Sequence, residues 1–196
     1  APTVVTSLPQ TGKKQVYLTF DTAMGEDYVS EILAVLRKYH AKASFGILGD
    51  WMEAYPDAAQ EIRKSGMAVF CHSMHHARYV DLSRAEMQAD AEQAKAAVEA
   101  FFGRECHYIR PPYGAYPEEV AEAMEEVGMR VLLWNRDSED WREDASAEDI
   151  LENALHAVAP GDILLFQTNA AQTVPALEVL LPTLRRMGYE FAQIKN

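Results

Sequence analysis

The sequence predicts an α/β fold, a distorted or incomplete (β/α) barrel of about seven parallel strands. Three observations carry that expectation. Apolar β-type runs alternate with helical-period segments along the chain, the pattern of parallel strands with helices outside them. Seven such runs occupy 196 residues, short of the roughly 250 residues of a complete eight-fold barrel. The conspicuous polar side chains directly follow strands, at the ends that a parallel barrel gathers on one face.

Residues 1–14 mix Pro, Thr, Ser and Gly without period and read as an extended arm, with 15–196 as a single domain. Gln15–Phe20 is the first strand and ends at Asp21; after the turn Thr22-Ala23-Met24-Gly25, Val29, Ile32, Leu33 and Leu36 follow helical spacing. Ala43–Leu48 is a second strand, Asp50–Tyr55 a short helical turn, and Pro56 opens a helix that Gly66 closes. Met67–Cys71 is the third strand. Ser83-Arg84-Ala85-Glu86 matches a capping box and starts a long alanine-rich helix that ends near Gly103. His107–Arg110 is the fourth strand, turned by Pro111-Pro112-Tyr113-Gly114, and Pro117–Val127 is helical. Arg130–Trp134 is the fifth strand, followed by a polar loop, Asn135–Ala145. Ser146–Asp149 resembles a second capping box. Ile163–Phe166 is the sixth strand, Val174–Met187 the last helix, and Glu190–Ile194 the seventh strand.

Composition narrows the function. Acidic residues outnumber basic ones 30 to 18, a formal net charge of −12. Such a chain repels phosphate backbones, and no Lys/Arg cluster offsets this, so nucleic acid is not an expected partner. No stretch approaches the roughly 18–20 apolar residues of a membrane span. A monomer is expected. Two cysteines, Cys71 and Cys106, do not make a disulfide framework and read as free, mostly buried thiols.

The chemistry gathers around Cys71-His72-Ser73-Met74-His75-His76. His72 and His76 are four apart, so one helical turn would aim both imidazoles the same way, half of a metal site. Around them by topology stand Asp21 at the end of the first strand and Arg110 at the end of the fourth. Asp137, Asp140 and Trp141 follow the fifth strand, and Gln167 ends the sixth. His75 is expected at the surface.

These residues carry a resemblance. Thr19-Phe20-Asp21, His72-Ser73-x-x-His76, Arg110-Pro111-Pro112-Tyr113-Gly114, Asp137-x-x-Asp140-Trp141 and Leu165-x-Gln167 resemble the five ordered motifs of the polysaccharide deacetylases, carbohydrate esterase family 4, the NodB-homology domain. The turn after Asp21 and the tail after Gln167 are similar to a sporulation-associated branch. The resemblance implies an extracytoplasmic or cell-envelope protein that removes acetyl groups from an N-acetylated glycan, peptidoglycan or a chitin-like polymer. It implies a divalent ion (Zn, Co or Ni) on His72 and His76, and Asp21 as the base that deprotonates water. Arg110 would orient that base, and the Tyr113 amide would donate to the oxyanion. Asp137 or Asp140 would tune the catalytic acid, and Trp141 and Leu165 would wall the acetyl methyl.

Two positions depart from the family pattern. Thr22 stands where a second aspartate completes the metal triad, and a hydroxyl is a weak neutral ligand. Asp21, His75, Asp27 or Cys71 are the candidates to stand in. Gln167 stands where a histidine protonates the departing amine, and an amide is no acid near neutral pH. Two readings follow: a metal-dependent deacetylase with a weak or altered site, and a non-catalytic module that binds glycan or serves a structural role.

Overall fold

In the computed structural model, which describes residues 3–9, 11–114 and 116–196, one parallel sheet is built outward from β2 (Gln15–Thr22). One face of this strand carries Val16, Leu18 and Phe20, all fully buried, and the other carries the partly buried Tyr17 and the buried Thr19 and Asp21, so both faces are covered. Beside it lie β3 (Ser44–Ile47), β4 (Ala68–Cys71), β5 (Tyr108–Ile109) and β6 (Arg130–Leu132) in that order, and on its other side β8 (Ile163–Gln167). The last strand, β9 (Glu190–Ala192), pairs with the first residues of β2. All seven expected strands are present.

Two further strands form the edges, and both were expected as irregular chain. Val4–Val5, here β1, pairs with β6, and Arg136–Asp137, here β7, pairs with β8. Two-residue strands carry no readable period; only partner backbone defines them. Val4–Val5 of the arm belong to the sheet; residues 1, 2 and 10 lie outside the described residues. From β1 the chain crosses to the start of β8, where Leu8 N–H donates to Gly161 O at 2.9 Å and Ser7 bridges Asp162. This segment spans the open side of an incomplete barrel whose interior holds Phe70, Leu132, Ile163 and Ile194.

Helices α1 (Val29–Lys38), α2 (Gly49–Ala54), α3 (Pro56–Ser65), α4 (Arg84–Phe102), α5 (Glu118–Glu126), α6 (Ala147–Leu155) and α7 (Thr173–Arg186) connect the strands. Both expected capping boxes are formed, Ser83 with Glu86 on α4 and Ser146 with Asp149 on α6. Their apolar stripes, such as Ile32, Leu33 and Leu36 of α1, bury against the outer face of the sheet.

Candidate functional site

Arg110 is the largest charged group in the core and the foundation of the site. It is fully buried, where an unpaired guanidinium would be prohibitive, and its fork is engaged on all sides. Nη1 donates to Asp21 Oδ1 at 2.8 Å and to Thr19 Oγ1 at 3.1 Å; Nε donates to Leu132 O and Nη2 to Leu133 O. Phe70 and Trp134 lie on its faces, 4.8 and 5.3 Å from their ring centres. Asp21 gains a fixed orientation from this pairing. Its Oδ1 lies so close over β3 that a Cβ on Gly46 would sit 2.7 Å away, which is why this strand position has no side chain.

His72 is set by the same arginine from the other end. Its Nδ1 lies 2.8 Å from Arg110 O, and a carbonyl only accepts, so Nδ1 carries the proton. In the neutral ring the lone pair is then on Nε2, which faces Asp21 Oδ2 at 3.8 Å. The His76 ring centre lies 5.2 Å from that of His72 and 4.9 Å from Tyr113. Burial first, and then neighbouring His72, hold the His76 imidazole down to about 4, so it is uncharged at neutral pH and free to be a ligand.

The two imidazoles converge without the helical turn that their spacing suggested. The chain from His72 to His76 is a loop with Ser73 and His76 at positive φ, 71° and 61°. Its carbonyls at Ser73 and Met74 accept from the first amides of α2, Gly49 and Asp50. Asp90 of α4, buried, accepts from Met74 N–H and from the Tyr79 hydroxyl, at 3.0 and 2.6 Å. Six non-glycine residues have positive φ among the described residues, and four of them, Ser73, His76, Tyr113 and Glu139, lie in the loops around this site. Each costs about 1–2 kcal/mol, so the strain is concentrated where the chain presents its polar groups.

Asp140, 4% exposed, is a further buried acid of the site. Its Oδ2 accepts from Gln167 N–H at 2.9 Å and from the Thr173 hydroxyl at 2.6 Å, while Oδ1 has no partner among the described residues. Burial pushes its carboxyl up from 3.8 to about 6. Asp137 instead holds its own loop, accepting from Glu139 N–H at 2.8 Å and Trp141 Nε1 at 3.4 Å; burial raises it as well. Between the two acids, Asp140 is the one that touches Gln167.

All the expected residues except Arg110, which lies beneath, line one groove of about 1130 Å³: Asp21, His72, His76, Tyr113, Asp137, Asp140, Trp141, Leu165 and Gln167. Sequence reasoning missed Trp134 and Met24 in this lining and the supports Thr19, Asp90 and Thr173. Met24 carried a signal as part of the small turn after Asp21, and Thr19 as a member of the first motif.

The donor set fits two imidazole ligands of a divalent ion and stops short of a third protein anchor. The Thr22 hydroxyl donates to Gly46 O at 2.9 Å and accepts from Leu48 N–H at 3.3 Å, so both its functions face β3. Of the candidate substitutes, His75 is exposed and pairs with Asp50, Cys71 is a buried free thiol beside Cys106, and neither they nor Asp27 line the groove. Among the described residues no three His, Cys, Asp or Glu side chains form a metal-holding group.

Comparison with known proteins gives this arrangement relatives. Residues 9–132 match the polysaccharide deacetylase family profile. The chain is 32% identical over 188 residues to a peptidoglycan-N-acetylglucosamine deacetylase of Bacillus cereus, covering 91% of this chain and 68% of that one. Among solved structures, BA3943, a pseudoenzyme of carbohydrate esterase family 4 from Bacillus anthracis, superposes with a TM-score of 0.92 at 26% identity, over 99% of this chain and 68% of that one. A mutant of BA3943 with restored enzymatic activity superposes with the same TM-score at 27% identity, over 99% of this chain and 70% of that one. With the profile matched over more than half its length and the motif residues gathered in one groove, the chain belongs to the polysaccharide deacetylase family.

Proposed function

We propose that this protein removes acetyl groups from an N-acetylated glycan of the cell envelope, peptidoglycan or a chitin-like polymer, slowly and from an altered site. The observation that carries the reading is the Asp21–Arg110–His72 array opening on the groove, with the carboxylate fixed at 2.8 Å from its arginine. Asp21 Oδ2 takes the proton of the attacking water, and Arg110 holds the carboxylate in place for it. The Tyr113 amide donates to the acetyl oxygen as charge develops there. Trp141 and Leu165 flank the acetyl methyl. His72 and His76 are the residues that would hold a divalent ion (Zn, Co or Ni), which when bound polarises a carbonyl and acidifies water. Gln167 donates no proton to the leaving amine, which takes it from water instead. That loss costs 10²- to 10⁴-fold, about 3–5 kcal/mol of barrier.

Acetate release from N-acetylglucosamine oligomers and peptidoglycan, at high enzyme loading with each of Zn²⁺, Co²⁺ and Ni²⁺, tests this. Release that disappears in Asp21→Asn supports it, and no release with any of the three ions sinks it.

A second reading has its own support: the groove serves as a glycan-binding module without turnover. Thr22 turned into β3 and an acid-less Gln167 favour it. The double change Thr22→Asp with Gln167→His separates the two. Activity gained only in the double variant assigns the wild-type chain to binding.

A further inference from the structure

Gln167 is held by its backbone and leaves its side chain uncommitted. It ends β8, in register with Asp21 of β2. Its N–H donates to Asp140 Oδ2 at 2.9 Å, and the next amide, Thr168 N–H, donates to Asp21 O at 3.2 Å. A strand end fixed from both sides is a rigid place from which to present a group. The carboxamide itself is partly buried, lines the groove, and makes no hydrogen bond among the described residues.

Register sets that carboxamide beside the reacting atoms. Partners on neighbouring strands lie about 4.8 Å apart and point to the same face, so Gln167 stands next to the Asp21 carboxylate. Leu165, two residues earlier on β8, shares that face and also lines the groove. An acetamide carries its parts in the same order: a methyl, a carbonyl carbon, then a nitrogen with one N–H. With the methyl against Leu165 and the carbonyl carbon in reach of a water at Asp21, the N–H falls on Gln167.

Charge decides which end of the carboxamide it meets. Asp21 and Asp140 flank Gln167 and, ionised, can only accept. Both attract the NH2 end of the amide dipole, which leaves Oε1 toward the groove. An acetamide N–H can donate to that oxygen. The bridging oxygen of an acetate ester has no proton and sets a lone pair against it. The imidazole of the family pattern would serve the leaving nitrogen as an acid; a carboxamide instead grips the intact acetamide, a contact of the bound ground state that adds affinity without adding rate.

We propose that Gln167 is a specificity-determining residue of the groove: its Oε1 accepts the N–H of a 2-acetamido group, so that an N-acetylated sugar is held in preference to its O-acetylated counterpart. This rests on the reading above that the groove receives a glycan, and it holds with or without turnover.

NMR titration of the purified protein with the methyl β-glycosides of N-acetylglucosamine and of 2-O-acetylglucose compares two ligands that differ by an N–H against an oxygen. The acetyl signal of each ligand reports that it stays intact. We expect the acetamide to bind about tenfold more tightly, the size of one hydrogen bond lost with its acceptor left facing another acceptor. Gln167→Met, of nearly the same length and without the carboxamide, should bring the two affinities to within about twofold. Gln167→Leu carries the test should the first variant fail to fold. Equal binding of the two glycosides by the wild type overturns the proposal, and so does a preference that survives in either variant. Methyl β-glucoside, which has no acetyl group, should bind more weakly than the acetamide; equal binding also overturns it. The N-acetylglucosamine tetramer, titrated alongside, tells the two readings apart. If the tetramer does not bind, the glycan reading fails and this inference with it; if it binds and the preference is absent, this inference alone fails.

Discussion

Asp140 also makes a prediction about stability that needs no ligand. Its carboxyl is protonated with a pKa near 3.8 in the unfolded chain and about 6 in the folded one, and burial is the leading cause. The sign follows from linkage: a raised folded pKa contributes stability that is complete below the unfolded value and lost as pH climbs through the folded one. Raising a carboxyl from 3.8 to about 6 corresponds to about 3 kcal/mol. Well below pH 3.8 the group is protonated in both states. Above about pH 6.5 the folded protein holds a buried carboxylate whose Oδ1 has no donor. Asp140→Asn keeps an acceptor for Gln167 N–H and Thr173 and abolishes the titration. It carries a constant offset from an unpartnered amide, but no slope. Urea denaturation of both proteins from pH 4 to 7.5 reads the difference. The variant should gain about 2 kcal/mol on the wild type across that range, a widening of about 4–8 °C in Tm. Parallel stability curves would show that Asp140 titrates normally, and the electrostatic account of this end of the groove would be wrong.

Three other outcomes follow from the geometry. Arg110→Ala removes the counter-charge of Asp21 and leaves Leu132 O and Leu133 O without donors; the cost should be about 3–5 kcal/mol in urea denaturation at neutral pH, and a loss below 1 kcal/mol would contradict the buried network. Gly46→Ala drives a methyl to 2.7 Å from both Asp21 Oδ1 and Phe70 Cε2; we expect about 1–3 kcal/mol of destabilisation, visible as a lowered Tm. Thr22→Asp restores the carboxylate that the family pattern has at this position, and competition with a fluorescent chelator should show zinc affinity rising about tenfold or more. The same change frees Gly46 O and Leu48 N–H from the hydroxyl, so a stability loss of about 1–2 kcal/mol accompanies it.

Much of this architecture was legible in the residues because its strands are buried on both faces and its helices carry stripes. Val16–Phe20 and Ile163–Phe166 read as strands without any partner in view, and Ser83 and Ser146 announce their helices. What escaped depends on tertiary partners. Val4–Val5 and Arg136–Asp137 are strands only because β6 and β8 lie beside them. The i, i+4 spacing of His72 and His76 fits a helix or a loop equally, and the choice is made by Asp90 and the α2 amides that hold the loop's backbone. Asp90 itself sits in an alanine-rich helix among other acids, where nothing local separates a buried anchor from a solvated one. Thr173 is equally silent, and Thr19 was legible only as a motif member, since a hydroxyl's partner is a matter of packing.

The site residues divide by what the fold needs from them, and the division bears on function. Asp21, Arg110 and His72 form one buried chain of contacts from Leu132 O through the guanidinium to the imidazole. Changing any of them leaves a buried polar group unpaired, so their presence is what stability alone would require, with or without turnover. His76 is different. It is half-buried at a strained φ of 61°, and its ring makes no hydrogen bond among the described residues. A glycine there would relieve the backbone, and the ring's packing against His72 and Tyr113 is all that the imidazole adds to stability among the described residues. Its ring is therefore the more informative of the two histidines: it lines the groove beside Tyr113, where under the proposed function it would be a ligand to an ion or a wall for a sugar. His76→Gly separates these uses from support of the fold. A stability unchanged or raised, with zinc or glycan affinity lowered, is the outcome this argument requires.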